Sequence, residues 1–498
     1  IAMITFIYSI TNTSAAIITY SANVTANNYV LRFDGVENVV WDSLTINPTG
    51  ATYAYGAYFP TTANNITIKN CEFNGNTNST SSLAAVIYNQ SGAGNLTNNV
   101  TLDNNVINGG SYGVYWWGGG TTTKENNLTF TNNKVLGFRS YGTYFYYQDT
   151  VTIEDNIIKQ ATGSTSFGYA ILSYYIDNGT VKRNDIEMTS TSTNYGIMVG
   201  RYAGTSNEVS NNMIVTSSNQ TPTGSAYGMY VNYALNTKIY HNSIHVRSGS
   251  PTNTRALYLT GSNSTLYGNN DIRNNIFVNS AGGFAFDATA GASNTTFLSH
   301  LDYNVYSSSG TTPFRYNNQT YANLTLHQAG SLLDSNSLYG NPGFIAGDDL
   351  HLLGAIAYDN GDATLGIMDD IDGDVRPLSP STGYDIGADE YNIPSCPSPY
   401  SIQARTSGTT NINVTWTNGP NDVSWELQYG SAGFTLGTGT IVSTTTNPVK
   451  VTGLTPSKCY QFWVRSICSV GDTSVWQGPT TICTDCAPLP DYCTDFES

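Results

Sequence analysis

Tyr112-Gly113-Val114-Tyr115-Trp116 does not stand alone in this chain. It returns as Tyr55-Gly56-Ala57-Tyr58-Phe59, Tyr141-Gly142-Thr143-Tyr144-Phe145, Tyr195-Gly196-Ile197-Met198-Val199 and Tyr227-Gly228-Met229-Tyr230-Val231, with weaker copies beginning at Tyr29, Ala84, Tyr169, Arg255 and Phe284. Successive starting points differ by 26, 29, 28, 29, 28, 26, 32, 28 and 29 residues. A unit of about 28 residues is too short to bury an apolar face alone, so the units must stack on one another.

A second strand recurs between the copies, with asparagine at a constant offset from alternating apolar residues. It reads Val100-x-Leu102-x-x-Asn105, Leu128-x-Phe130-x-x-Asn133, Val151-x-Ile153-x-x-Asn156, then Val209-x-x-Asn212, Ile239-x-x-Asn242 and Ile272-x-x-Asn275. In Ile66-x-Ile68-x-x-Cys71 a cysteine takes that place. A buried amide stacked on its own kind can satisfy the turn backbone above and below at every level.

Short strands of period two, asparagine at the corners and no intervening helical pattern resemble the right-handed parallel β-helix of pectate-lyase-like proteins. Past the repeats, residues 343–391 hold 11 of the 35 acids. Asp369-Asp370-Ile371-Asp372-Gly373-Asp374-Val375-Arg376-Pro377 and Asp385-Ile386-Gly387-Ala388 resemble the closing segment of secreted bacterial β-helix proteins. Further on, Trp416, Trp425 and Leu454-x-Pro456-x-x-x-Tyr460 resemble a fibronectin type III sandwich with its tyrosine corner. The expected fold is all-β: a right-handed parallel β-helix over 1–342 that lacks its beginning, an acidic closing segment over 343–393, a fibronectin type III domain over 394–486 and the start of a further module over 487–498.

Composition narrows the function. Lys+Arg 19 against Asp+Glu 35, a net charge of −16, leaves no basic footprint for nucleic acid. No apolar run is long enough for a membrane span. Six of the seven cysteines lie from Cys396 onward at spacings suited to disulfides, which implies an oxidising, extracellular setting. Together with those cysteines, Gly433-Phe434-x-Leu436-Gly437-Thr438-Gly439-Thr440 and Ser474-x-Trp476 resemble the variant found in exported multidomain proteins of gliding and polymer-degrading bacteria, which implies a bacterial cell-surface or secreted location reached by type IX secretion.

Within each copy, the second and fourth residues after the tyrosine are apolar and should face the core. The third and fifth should then point outward, with the glycine leaving them uncovered. This defines an aromatic strip of Tyr58, Tyr115, Trp117, Tyr144, Tyr146, Tyr174, Tyr230 and Tyr258. Flat rings suit the apolar faces of sugars, so the strip is the candidate carbohydrate-binding surface, with a polysaccharide or glycosylated surface as partner and other surface proteins as further partners. The alternative is that the rings only stabilise the sheet.

No catalytic residue is assigned. Asp103, Glu154 and Asp155 are the remaining carboxylate candidates for a polysaccharide lyase or glycoside hydrolase, but the charges beyond Glu154 largely alternate in sign from turn to turn and can satisfy one another. In the acidic segment Asp370, Asp372 and Asp374 alternate beside a glycine, a pattern for Ca²⁺ as the one candidate cofactor. The other reading is a capping turn in which aspartates bind backbone amides. Three functions stand open: a non-catalytic, adhesin-like binding segment, a polysaccharide-cleaving enzyme, or a structural spacer.

Overall fold

In a computed structural model the described residues are 16–20, 28–49, 55–76, 84–90, 92, 94–204, 207–219, 224–261, 267–289, 297–353, 355–378, 382–391, 395–418 and 422–486. The chain divides into two compact units, 1–391 and 392–498. The segment from 487 onward, expected to open a further module, lies outside the described residues.

The first unit is a stack of parallel strands arranged as three faces. One face is a twelve-stranded sheet that runs in chain order from Ala16–Tyr20 through Leu44–Pro48 to Leu338–Tyr339. A second face carries the tyrosine-glycine copies, Tyr55–Phe59, Tyr112–Trp117, Tyr195–Gly200 and their equivalents. The third carries the strands that lead into the asparagines, such as Asn98–Asp103 and Glu125–Thr131. The long strand Tyr141–Glu154 passes from the second face into the third. Registers repeat the sequence alignment: Val114 pairs with Thr143, Leu128 with Val151 and Ile107 with Val135. The residues expected to face inward, among them Val114, Trp116, Phe145, Ile197 and Met229, are fully buried.

Two details differ from the expectation. The copy assigned to Ala84 starts one residue later, since Ala85 pairs with Tyr112 and Tyr88 with Tyr115. A shift of one residue exchanges the faces of a strand, so Tyr88 rather than Ile87 points outward. The glycines do not sit beside the rings. A Cβ on Gly113 would lie 2.4 Å from Val135 Cγ1, one on Gly196 2.2 Å from Ile214 Cγ2 and one on Gly228 2.1 Å from Ile244 Cγ2. Each glycine therefore faces inward, under a branched side chain of the twelve-stranded sheet, and the leading tyrosine is turned out.

The asparagine column is continuous. Asn105, Asn133, Asn156, Asn184, Asn212, Asn242, Asn275 and Asn304 are all buried. Asn156 donates through its backbone N–H (3.2 Å) and Nδ2 (2.9 Å) to Asn184 Oδ1, and Asn184 does the same to Asn212 Oδ1 at 3.0 and 2.8 Å. Each Nδ2 also donates to a strand carbonyl of the turn below, as Asn184 does to Ile153 O at 3.1 Å. Cys71 N–H meets Asn105 Oδ1 at one end, and Ser337 Oγ accepts from Asn304 N–H at the other. The residue before each asparagine, such as Asn104 (φ 51°), Asn132 (φ 56°) and Asn211 (φ 52°), is left-handed and makes the corner.

The late end of the stack is closed by the hairpin of Phe314–Tyr316 with Gln319–Tyr321 and by the helix Leu324–Ser331. His327 lies flat on the Phe314 ring and meets the buried Asp334 carboxylate, which also accepts from Tyr306 and Ser337. The acidic segment, expected to close the helix, lies instead along its flank. Asp369 pairs with Lys182 and Arg183, Asp362 with Arg273, Ala388 N–H donates to Ser243 Oγ, and His245 meets Gly347 O. Aspartate is suited to that course because its carboxylates answer both the basic residues of the turns and the amides of its own loops.

The second unit holds two antiparallel sheets, Tyr400–Thr406 with Ile412–Thr417 and Val449–Val451, and Ser424–Ser431 with Thr440–Thr444, Cys459–Ser469, Asp472–Thr473 and Gln477–Cys483. Trp416 and Trp425 meet edge to face between them at 5.6 Å. Thr455 N–H donates to the Tyr460 hydroxyl at 3.0 Å, which closes the expected tyrosine corner. Cys396 pairs with Cys468 and Cys459 with Cys483.

Candidate functional site

The tyrosine face carries three columns of rings. The leading column stacks Tyr112 on Tyr141 (4.4 Å, 4° between planes), and continues through Tyr169, Tyr195 and Tyr227 at 5.4, 4.5 and 4.5 Å. The middle column stacks Tyr88 on Tyr115 (4.9 Å) and Tyr115 on Tyr144 (4.8 Å), passes Leu172 and Met198 in register, and resumes with Tyr230 on Tyr258 (4.9 Å). The third stacks Trp117 on Tyr146 (4.6 Å, 1°) and Tyr146 on Tyr174 (5.2 Å).

This geometry corrects the picture of flat, uncovered rings. Tyr58, Tyr115, Trp117, Tyr144, Tyr146, Tyr174, Tyr230 and Tyr258 all point away from the core, yet each is half-buried. Parallel strands lie about 4.8 Å apart, close to the thickness of stacked rings, so equivalent tyrosines on successive turns cover one another's faces. Edges and hydroxyls are what the strip turns to water. Burial raises the hydroxyl pKa of Tyr115, Tyr144, Tyr146, Tyr174 and Tyr230 above the ordinary 10.

Several participants were not singled out from the sequence. The leading tyrosines served only as markers of the repeat, and Tyr88 was hidden by the one-residue shift. Arg201 lies 5.4, 5.2 and 5.8 Å from the ring centres of Tyr175, Tyr233 and Tyr267, and its Nε donates to the Tyr174 hydroxyl at 3.3 Å. That hydroxyl donates to Asn232 Oδ1 at 3.0 Å, and Asn232 Nδ2 donates to the Tyr230 hydroxyl at 2.7 Å. Arg255 lies over Tyr227 and Tyr258 and pairs with the buried Asp287. A basic residue in the place of a ring was the available signal, since Arg255 occupies the leading position of its copy.

The carboxylates considered for catalysis are occupied. Arg183 joins Glu154 (2.8 Å), Asp155 (2.7 Å) and Asp369, which itself meets Lys182 at 2.7 Å. Asp103 accepts from Thr131 Oγ1 and Asn132 Nδ2, each at 2.8 Å. In the acidic segment Asp370 is fully buried, and its two oxygens accept from the backbone N–H groups of Asp372, Asp374 and Glu390 at 2.8–3.0 Å. Arg376, also buried, pairs with Glu390 at 2.5 Å and donates to Gly387 O. Asp370, Asp372 and Asp374 therefore share a turn held by amides, and among the described residues the metal-type ligand atoms that converge within 4.8 Å are those of His351, Asp372 and Asp389.

Residues 122–319 match the family described as right handed beta helix region, and residues 397–482 match the fibronectin type III domain. The chain thus contains a right-handed β-helix followed by a fibronectin type III domain. No curated protein matches it. Solved structures similar to its second unit include the FN1-FN3 domains of chicken CNTN1 (15% identical over 20% of this chain, TM-score 0.17). The fn3 domain of the human collagen alpha-1(XX) chain is 20% identical, with 20% of this chain and 97% of that one covered and a TM-score of 0.19. This chain spans 32% of the chicken structure. A β-helix, a fibronectin type III domain and two disulfides are consistent with a multidomain surface or secreted protein. Among the described residues no helix is long and apolar enough to cross a membrane.

Proposed function

We propose that this chain is a non-catalytic binding segment of a surface or secreted protein, and that its aromatic flank contacts polysaccharide or a glycosylated surface. The observation that carries the reading is the continuity of ring edges with hydrogen-bonding groups from Tyr146 through Tyr174, Arg201 and Asn232 to Tyr230. A sugar presents apolar C–H groups and hydroxyls together, and this part of the strip offers partners to both. Contact is edge-on along the columns, because the ring faces are covered from turn to turn. The engagement of Glu154, Asp155 and Asp103 by Arg183, Thr131 and Asn132 favours binding over cleavage.

The test is affinity electrophoresis and pull-down of the whole chain against neutral and acidic polysaccharides. Binding should fall at least about tenfold when Tyr174→Ala is combined with Arg201→Ala, and also when Tyr115→Ala is combined with Tyr144→Ala. Retention of full affinity by both double variants would remove the aromatic flank from the reading. Release of reducing ends or unsaturated products by the wild-type chain would replace it with the enzyme reading.

A further inference from the structure

We propose that the glycan contacting the aromatic flank is anionic, and that Arg201 receives its carboxylate or sulfate group. The inference rests on the binding reading above and names the chemistry of its ligand. Arg201 stands at the corner where the tyrosine face ends, in a column with Tyr147, Tyr175 and Tyr233. All four are left-handed, with φ of 57° at Tyr147, 56° at Tyr175, 48° at Arg201 and 52° at Tyr233. At the start of the third face the same conformation falls to Asn65, Asn99 and Asn127, the residue type that adopts it more readily. Bulky residues are held here against their backbone preference, and the result is a ladder of flat groups. The Tyr147 and Tyr175 rings lie 5.0 Å apart, and the half-buried guanidinium lies 5.4 Å from the Tyr175 ring centre and 5.2 Å from that of Tyr233. Nε donates to the Tyr174 hydroxyl at 3.3 Å and Nη1 to the Tyr267 hydroxyl at 2.8 Å. Among the described residues Nη2 meets no acceptor and no carboxylate pairs with Arg201. A guanidinium fixed against rings but lacking a counter-ion is placed to take an oxyanion from a ligand through charge-assisted hydrogen bonds.

The second, independent observation is the charge of the face. The chain as a whole carries −16. The outward positions of the tyrosine face and its corner reverse that sign: their described charged residues are Arg32, Arg201, Arg255 and Arg315 against Asp34 and Asp287. Arg32 pairs with Asp34, while Arg255 and Arg315 share the fully buried Asp287. Arg201 is thus the arginine of this face that has no acid. A strongly acidic chain repels polyanions in general, so a face of opposite sign that also offers ring edges selects an anionic sugar over a neutral one.

The experiment is binding of the whole chain, by calorimetry and affinity electrophoresis, to ligands matched in backbone: dextran, carboxymethyl dextran and dextran sulfate, and each acidic polysaccharide that the chain binds beside its carboxyl-reduced or desulfated form. The charged members should bind at least about tenfold tighter than their neutral counterparts, and the member that keeps the preference identifies the group as carboxylate or sulfate. Arg201→Gln should abolish the preference and leave binding of the neutral members unchanged, with unchanged circular dichroism. Arg201→Lys should restore part of it, since lysine keeps the charge but not the flat donor edge between two rings. Lys238→Gln, the same loss of charge on the third face, should change nothing. Equal binding of charged and neutral members, a preference that survives Arg201→Gln, or one that falls as far with Lys238→Gln would overturn the inference and leave the binding reading in place. Failure of all these ligands and of the neutral polysaccharides to bind would overturn that reading and the inference with it.

Discussion

Two columns of repeated residues run through the β-helix, asparagine inside and tyrosine outside, and the same period places both. In the asparagine column every amide is answered by the next one, from Cys71 to Ser337. In the tyrosine columns the faces are answered by neighbours, but edges and hydroxyls are left for solvent or a ligand. A polar group in the core must have its partner within the fold, whereas a ring on the surface gains from a neighbour without requiring one. The inner column is therefore an obligation of the architecture, and the outer one is where function can be placed.

The sharpest way to break this contrast is Asn184→Ala. It would leave the Asn156 N–H and one Asn156 amide hydrogen without their acceptor and take the Asn184 amide from the Ile153 carbonyl, so a loss of roughly 3–5 kcal/mol is expected in urea unfolding of the β-helix. A loss below about 1 kcal/mol would mean that the column is replaceable. Gly228→Ala probes the layer between the columns. Its Cβ would lie 2.1 Å from Ile244 Cγ2 and 2.7 Å from Ala256 O, so up to about 3 kcal/mol should be lost in the same assay.

Tyr144→Ala should cost less, about 1–2 kcal/mol, because it removes stacking against Tyr115 and Tyr146 without orphaning a buried polar group. A cost equal to that of Asn184→Ala would erase the distinction between the columns. The smallest effect expected near neutrality becomes visible in alkali. Burial holds the hydroxyls of Tyr115, Tyr144, Tyr146 and Tyr195 above their ordinary 10. Below pH 10 both folded and unfolded chains keep these protons. Above it the unfolded chain releases protons that the folded chain retains, so stability falls as pH rises. Melting temperature against pH, followed with tyrosinate absorbance, should show these rings ionising only as the β-helix unfolds. Tyr144→Phe should flatten the dependence, while asparagine, with no titrating group, contributes none.

Much of this was legible in the chain because a repeat multiplies weak signals. One Val-x-Leu-x-x-Asn is a modest clue, but its return at Asn105, Asn133, Asn156, Asn212, Asn242 and Asn275 exposes a buried column. Its members Asn184 and Asn304 passed unnoticed, as Asn184 follows the basic pair Lys182-Arg183 and reads as surface. Tyr88 was concealed by a strand beginning one residue late. Glu125, which no repeat pattern marks, is fully buried, where Trp116 Nε1 donates to it at 2.8 Å and the Thr97 N–H at 2.8 Å.

Period and residue type determined, from the sequence alone, that turns of about 28 residues stack as a parallel β-helix, that asparagine holds their corners, and that a fibronectin type III domain follows. Only the tertiary structure decided which way the glycines face, that the rings close on one another, and that the acidic segment lies along the flank with His351 between Asp349 and Asp372. The reason is range. A repeat constrains each residue through its equivalents one turn away, and their separation can be read along the chain. A ring's free face, or a carboxylate's partner nearly two hundred residues distant, as Asp369 is from Lys182, depends on how the stacked turns and the returning segment meet in space.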